Sequence, residues 1–256
     1  MLPFFLRFED VEIKINAPEL LEKKLKSKRH RCMIGTGSMS DPYNPIAESL
    51  EITRACLKII EKYGFGVSII TKSDLILRDL DLLAGINSAA KCVVSITLTT
   101  HDEDLCRILE PNVCTTRKRF EVLKVFRDRR IKTIVWLCPI LPFINDTEEN
   151  LRGILDYCIE AKVYGILCFG MGMTLRDGDR EYYYENLDRH FPGLREKYER
   201  KYGNSYSITS ENNRKLMPLF QKTCKENNII CDTDELFEFM SSLDEKPEKR
   251  QLELGL

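Results

Sequence analysis

The feature that most limits what this chain can fold into is a recurrence. Short apolar runs, rich in β-branched residues, fall at 32–34, 67–71, 92–100, 132–138 and 164–169. Between them lie stretches with helical spacing of apolar residues: Leu50, Leu57 and Ile60 with Thr53, then 75–86, 119–129 and 147–162. The links are short. Buried strands alternating with helices over such distances predict an α/β fold with parallel strands and right-handed crossovers. A length of 256 residues suits one large domain of this kind, and an α/β barrel is typical at about that size. Ahead of this pattern, residues 8–15 alternate weakly, as a short strand or extended arm. Asn16 is placed to cap a helix with Pro18 in its first turn and Leu20, Leu21 and Leu25 on one face.

In parallel α/β folds ligands bind where strands end, so the residues at the strand ends are the first candidates for a site. After Cys32, Met33 and Ile34 the chain becomes a polar elbow: Gly35 and Gly37 allow a turn, Pro42 and Pro45 stop strand and helix, and Ser38, Ser40, Asp41, Tyr43 and Asn44 crowd between them. The next strands end in Lys72 and Ser73, in the Thr97, Thr99 and Thr100 run, and in residues 139–146. If the strands are parallel, these groups share one rim. A cation, hydroxyls and a carboxylate converging there suit a zwitterionic ligand that carries a sugar.

Composition narrows the classes. There are 39 Lys+Arg against 40 Asp+Glu, so net charge offers no global case for nucleic acid. The run from 23 to 31 is locally basic; it reads first as a solvated helix end matched to the helix dipole, with phosphate contact as the alternative. No run approaches the ~20 apolar residues of a membrane span, and the expected setting is cytoplasmic with no membrane partner. Ten cysteines occur without a CxxC pair; Cys56, Cys92, Cys138, Cys158 and Cys168 sit in apolar stretches as small hydrophobes, and Cys224 and Cys231 do not make a zinc spacing. The histidines His30, His101 and His190 are isolated. Tyr182, Tyr183 and Tyr184 with Arg176 and Arg180 suit packing on the open side of a barrel, or stacking on bases. The tail after Asp244 is charged and is expected to fray.

The order of these motifs resembles one branch of a known superfamily. Asn16-Ala-Pro-Glu-Leu-Leu21, residues 35–45, Thr53-Arg54, Thr71-Lys72-Ser73, Leu77-Arg78-Asp79, Glu110-Pro111 and Pro139-Ile-Leu-Pro-Phe-Ile-Asn-Asp146 with Glu148 and Glu149 are similar to the radical S-adenosylmethionine (SAM) superfamily, in its spore photoproduct lyase-like branch. Met173-Thr-Leu-Arg-Asp177, Arg180-Glu-Tyr182 and Phe191-Pro-Gly-Leu194 extend the likeness over roughly 8–206. The resemblance implies a partial (β/α)6 barrel binding SAM across its strand ends. It implies that the Ser40/Asp41 elbow, with Tyr43, meets the SAM amino group, Lys72 the carboxylate, Ser95 or Thr97 the ribose, and the backbone at Cys138, Pro139 and Ile140 the adenine. In the superfamily a CxxxCxxC loop after the first barrel strand holds a [4Fe–4S] cluster, whose reduction cleaves SAM to a 5′-deoxyadenosyl radical. This sequence contains no CxxxCxxC. The loop is expected directly before the segment matching 8–16, so the first strand and the loop are read as missing together, as in a truncation or a displaced start site. Two further departures are Pro45-Ile-Ala47 where relatives carry Pro-x-Glu, and Ser38 where true photoproduct lyases have a hydrogen-donor cysteine.

The expected organisation is a partial barrel over 1–176, a helical cap of the same domain over 177–243, and a flexible tail over 244–256. The expected function is a radical SAM family protein that keeps a SAM-binding rim but performs no radical chemistry alone. The alternative is a cluster-free module that binds nucleic acid or a protein.

Overall fold

The computed structural model describes residues 12–176 and 178–243. The strands β1 (Met33–Thr36), β2 (Gly66–Thr71), β3 (Cys92–Thr97), β4 (Lys132–Trp136) and β5 (Gly165–Leu167) form one sheet in sequential order. Every neighbouring pair is parallel, with Met33 opposite Gly66, Val67 opposite Cys92, Val93 opposite Lys132 and Ile134 opposite Gly165. Beyond β5, Ile230 forms a single parallel bridge to Gly165. The helix α1 (Ala17–Lys26) precedes β1, and α2 (Ala47–Tyr63), α3 (Leu80–Ala89), α4 (Glu103–Leu109), α5 (Thr116–Asp128) and α6 (Glu148–Ala161) fill the crossovers.

The two faces of the sheet are set by strand alternation. Val67, Ile69, Val94, Ile96, Val135 and Ile166 point toward the helices and merge with Leu57, Leu83, Phe120, Leu123 and Ile154 in the main core. Val93, Ile134 and Leu167 point the other way. That inner face is covered by α10 (Thr233–Ser241), whose Leu236 and Met240 are buried against it. Burying each such side chain contributes roughly 1.5–3 kcal/mol. Gly165 permits the approach: a Cβ there would meet the Leu236 side chain and the Ile230 carbonyl. α10 therefore runs across the inside of the curved sheet, with contacts from β5 to β1.

The region after β5 is not wholly helical. β6 (Gly172–Thr174) pairs antiparallel with β7 (Ser207–Thr209), and this ribbon frames α7 (Asp179–His190) and α8 (Leu194–Tyr202). α9 (Asn213–Glu226) then returns to pack on α6. Residues 12–15 are not a strand, and 8–11 lie outside the described residues, as does the 244–256 tail. Helix ends follow their sequence signals. Asn16 occupies the N-cap position of α1 with proline in its first turn, although its side chain makes no capping hydrogen bond, and the Thr147 hydroxyl caps α6 by accepting from the Asn150 N–H at 3.1 Å. No helix among the described residues is long and apolar enough to cross a membrane.

Candidate functional site

Because β1 to β5 are parallel, their carboxyl ends form a common rim, and the elbow after β1 is pinned to it by one carboxylate. Asp41 Oδ1 accepts from the Thr71 hydroxyl at 2.7 Å and the Tyr43 N–H at 2.9 Å, while Oδ2 accepts from the Lys72 N–H at 2.8 Å. Gly37 makes the close passage possible: its φ is 99°, and a Cβ would run into the Ile70 carbonyl. Asp41, Lys72 and Thr97 thus stand at the same end of three adjacent strands.

Lys72 belongs to a charge chain. Its ammonium lies 2.5 Å from Glu110 Oε1, and Glu110 Oε2 is 2.7 Å from Arg119. The Arg119 side chain is almost wholly buried and also donates to the Thr97 carbonyl at 3.0 Å and the Cys114 carbonyl at 2.8 Å. Burial alone would raise the Glu110 pKa, but Lys72 and Arg119 outweigh it and hold the carboxyl below its ordinary value. Within this chain two cations surround one carboxylate, and the Asp41 carboxylate stands beside it at the Lys72 backbone.

A cavity of about 620 Å³ opens beside this chain, lined by Lys72, Thr99, Glu110, Pro139 and Asn145 from the rim and by Tyr182, Asn186, Arg189 and His190 from α7. A second, of about 500 Å³, is lined by Cys138, Pro139, Phe169 and residues 170–174, with β7 and Asn213 opposite. Pro139 and Met173 border both. Burial, and then the neighbouring Cys168, push the Cys138 thiol up to about 11, so it is protonated at neutral pH. The loop between is rigid by construction: Asn145 donates to the Thr99 carbonyl and accepts from the Leu141 N–H, and Asn150 donates to the Thr99 and Asn145 carbonyls. Asp146 accepts from Ser210 and Asn212, tying the same loop to the segment before α9.

The residues expected at the cofactor fall into three groups. Lys72 and Pro139 line the cavities, Ser40 is exposed on the elbow, and Thr97 is 7% exposed at the strand end. Asp41 is at the rim but three of its acceptor positions are already engaged. Tyr43, Ser95 and Ile140 lie in the interior. The Tyr43 ring joins the core, and burial, followed by the adjacent Asp79 carboxylate, drives its phenol far above the ordinary value. The Ser95 hydroxyl points to the inner face and contacts Met240 Sδ of α10 at 3.8 Å.

Other side chains also differ from a surface reading. Arg180 is buried and donates to the carbonyls of Leu175, Gly203, Asn204 and Ser205. Tyr183 and Tyr184 pack with Tyr198, whose hydroxyl donates to the Pro142 carbonyl at 2.7 Å. The aromatic–arginine segment is thus mostly a packing element, with Tyr182 exposed at the mouth of the larger cavity. Arg54 pairs with Asp79, and Arg78 with Glu51. An aromatic group not anticipated lies on the inner face: Trp136, Phe169 and Phe237 of α10 stand 6.1–6.3 Å apart by ring centroids, and Phe169 is 60% exposed. The signal was available, since Trp136 and Phe169 end consecutive strand runs.

The comparisons with known proteins bear on this geometry. Spore photoproduct lyase, in a structure complexed with a dinucleoside spore photoproduct, superposes with a TM-score of 0.54 at 11% identity, over 85% of this chain and 65% of that one. The chain shares the fold of spore photoproduct lyase. SuiB of Streptococcus suis, in a structure bound to a precursor peptide, aligns at a TM-score of 0.44 and 15% identity over 62% of this chain and 32% of its own. In sequence, an uncharacterized protein of Methanocaldococcus jannaschii is 36% identical over 138 residues, 54% of this chain and 50% of that protein. One from Mycobacterium tuberculosis is 26% identical over 193 residues, 75% of this chain and 56% of its own length. The chain therefore spans about half the length of the curated relatives it matches. No protein-family model matches the chain.

All ten cysteines are free and lie within the described residues, and no group of three His, Cys, Asp or Glu among those residues is placed to hold a metal ion.

Proposed function

We propose that this chain is a radical SAM-type protein whose strand-end rim binds S-adenosylmethionine. The carrying observation is the convergence of Lys72, Thr97 and Pro139 on one rim bordered by two adjoining cavities. In this reading the Lys72–Glu110–Arg119 chain receives the SAM carboxylate, with Lys72 as the exposed cation. The exposed Ser40 hydroxyl and the remaining acceptor capacity of Asp41 meet the ammonium. Thr97, the last residue of β3, takes the ribose in preference to Ser95, which α10 covers. The adenine lies in the smaller cavity along Cys138 and Pro139, where the exposed Phe169 ring offers a stacking face. In the superfamily the cluster supplies the electron that cleaves SAM, and among the described residues of this chain no group of three His, Cys, Asp or Glu is placed to hold a metal ion. The larger cavity is the candidate substrate space.

Titration calorimetry tests the reading. SAM is expected to bind one per chain, and more tightly than methionine or adenosine. Thr97→Val should weaken it roughly fivefold and Lys72→Met about tenfold or more, the ordinary effects of losing a neutral and a charged hydrogen bond. Absence of binding at millimolar SAM, or binding indifferent to both substitutions, refutes the proposal.

A further inference from the structure

The rim leaves one sequence feature unused: the basic run at 23–31. The topology gives it company. Each αβ connection of a parallel sheet enters at the amino end of its strand, so residues 27–32, 64–65, 90–91, 129–131 and 162–164 all meet on the face opposite the rim. These connections carry Lys28, Arg29, Arg31, Lys91, Arg129, Arg130 and Lys162, and no Asp or Glu, in a chain whose charges otherwise balance. Lys132, the first residue of β4, adds another exposed cation.

Helix dipoles explain one cation near each helix end, but not this set. Among the described residues, Lys28, Arg29, Arg31, Arg130, Lys132 and Lys162 are exposed and make no ion pair, whereas Arg129 reaches Asp81 at 3.8 Å and Lys91 is buried, donating to the Ser242 carbonyl at 3.1 Å, so neither belongs to the free set. Arg130 and Lys162 also sit at φ 57° and 51°, left-handed positions after α5 and α6 where glycine or asparagine is the comfortable residue. Charge is kept there against backbone preference. Lys132 and Lys162 further line an open cavity of about 530 Å³ with the Asn227 and Asn228 side chains.

We infer that this floor is a docking surface for nucleic acid, held through its phosphate backbone. Phosphates require only mobile, unpaired cations and amide donors. A protein partner would call for an apolar centre and a membrane for apolar anchors, yet the exposed large apolar side chains, such as Met39, Ile108, Phe169 and Tyr182, lie outside these connections. Four strand spacings of ~4.8 Å make the floor about 19 Å wide, enough for roughly five successive phosphates of one strand.

Fluorescence anisotropy with labelled single-stranded RNA, single-stranded DNA and duplex DNA of one sequence tests this on the full chain without SAM. Binding should be present at about 50 mM salt and fall with a log–log salt slope of roughly −3 to −5, and the tightest arm names the nucleic acid. Combined Lys28→Glu, Arg130→Glu and Lys162→Glu should abolish binding. The neutral single variants Lys28→Gln and Lys162→Gln, which leave the fold intact, should each flatten the slope by about 0.7–0.9. No binding at low salt in any arm overturns the inference. So does an unchanged slope in the neutral variants, or loss of binding on Lys72→Gln at the rim instead. Retention by phosphatidylserine vesicles but not by nucleic acid also overturns it. None of these outcomes depends on whether SAM binds.

Discussion

Replacing Glu110 by glutamine removes the one anion between two rim cations while keeping shape. Arg119 is then a buried guanidinium without a counter-charge: its side chain is 1% exposed, and its remaining partners are the neutral carbonyls of Thr97 and Cys114. Stripping one partner from a buried ion pair costs about 3–5 kcal/mol, and the amide oxygen that glutamine still offers Arg119 places the expectation near 3. For a chain of this size that lowers the melting temperature by roughly 6–12 °C. Lys72→Met is the internal control. Lys72 is 36% exposed, so its loss should cost about 1 kcal/mol or less. Urea denaturation followed by circular dichroism measures both. The pH dependence carries the sign. The folded Glu110 pKa lies below its unfolded value, so the pair contributes stability above the ordinary carboxylate range and loses it as pH falls through the lowered folded pKa. Glu110→Gln should remove that acid-side loss and flatten the profile there. A Glu110→Gln variant within about 1 kcal/mol of the parent, or one with the same acid limb, would refute the charge-chain reasoning.

Three other perturbations follow from the packing. Asp41→Ala removes two acceptor contacts that hold the elbow to the end of β2 and a third within the elbow; it should cost about 2–3 kcal/mol and speed amide exchange at Tyr43 and Lys72, measured by hydrogen exchange. Leu236→Ala opens a void between α10 and the inner face of the sheet and should cost about 2–5 kcal/mol in denaturant titration. Tyr198→Phe leaves the Pro142 carbonyl and the Tyr183 hydroxyl without their partner, with an expected loss of about 1–3 kcal/mol and little change in far-ultraviolet dichroism.

The sheet and most of the crossovers were legible because periodicity in burial produces periodicity in sequence. The runs at 67–71 and 132–138 are mostly apolar and rich in β-branched residues on both faces, as strands covered on both sides are. α4 escaped notice although Asp102 announces it, accepting from the Leu105 N–H at 2.7 Å; seven residues are too few to display a period. The burial of Arg119, Arg180 and Tyr43 was not legible. Each is a polar residue in a polar neighbourhood of the sequence, and what buries it is contributed from elsewhere in the chain: Thr97 and Glu110 for Arg119, residues 203–205 for Arg180, the Asp79 region for Tyr43. The placement of α10 is of the same kind. Its amphipathic pattern predicts a buried face but not which surface it covers, and here it covers Ser95, which the family resemblance makes a candidate for the ribose.

The central claim is that the strand ends form one nucleoside-binding rim, and a crystal structure grown with millimolar SAM tests it most directly. The account predicts SAM with its carboxylate at Lys72, its ribose at Thr97 and its adenine against Pro139 and Phe169. SAM bound anywhere else on the molecule, or a rim that stays empty at saturating SAM, would contradict it.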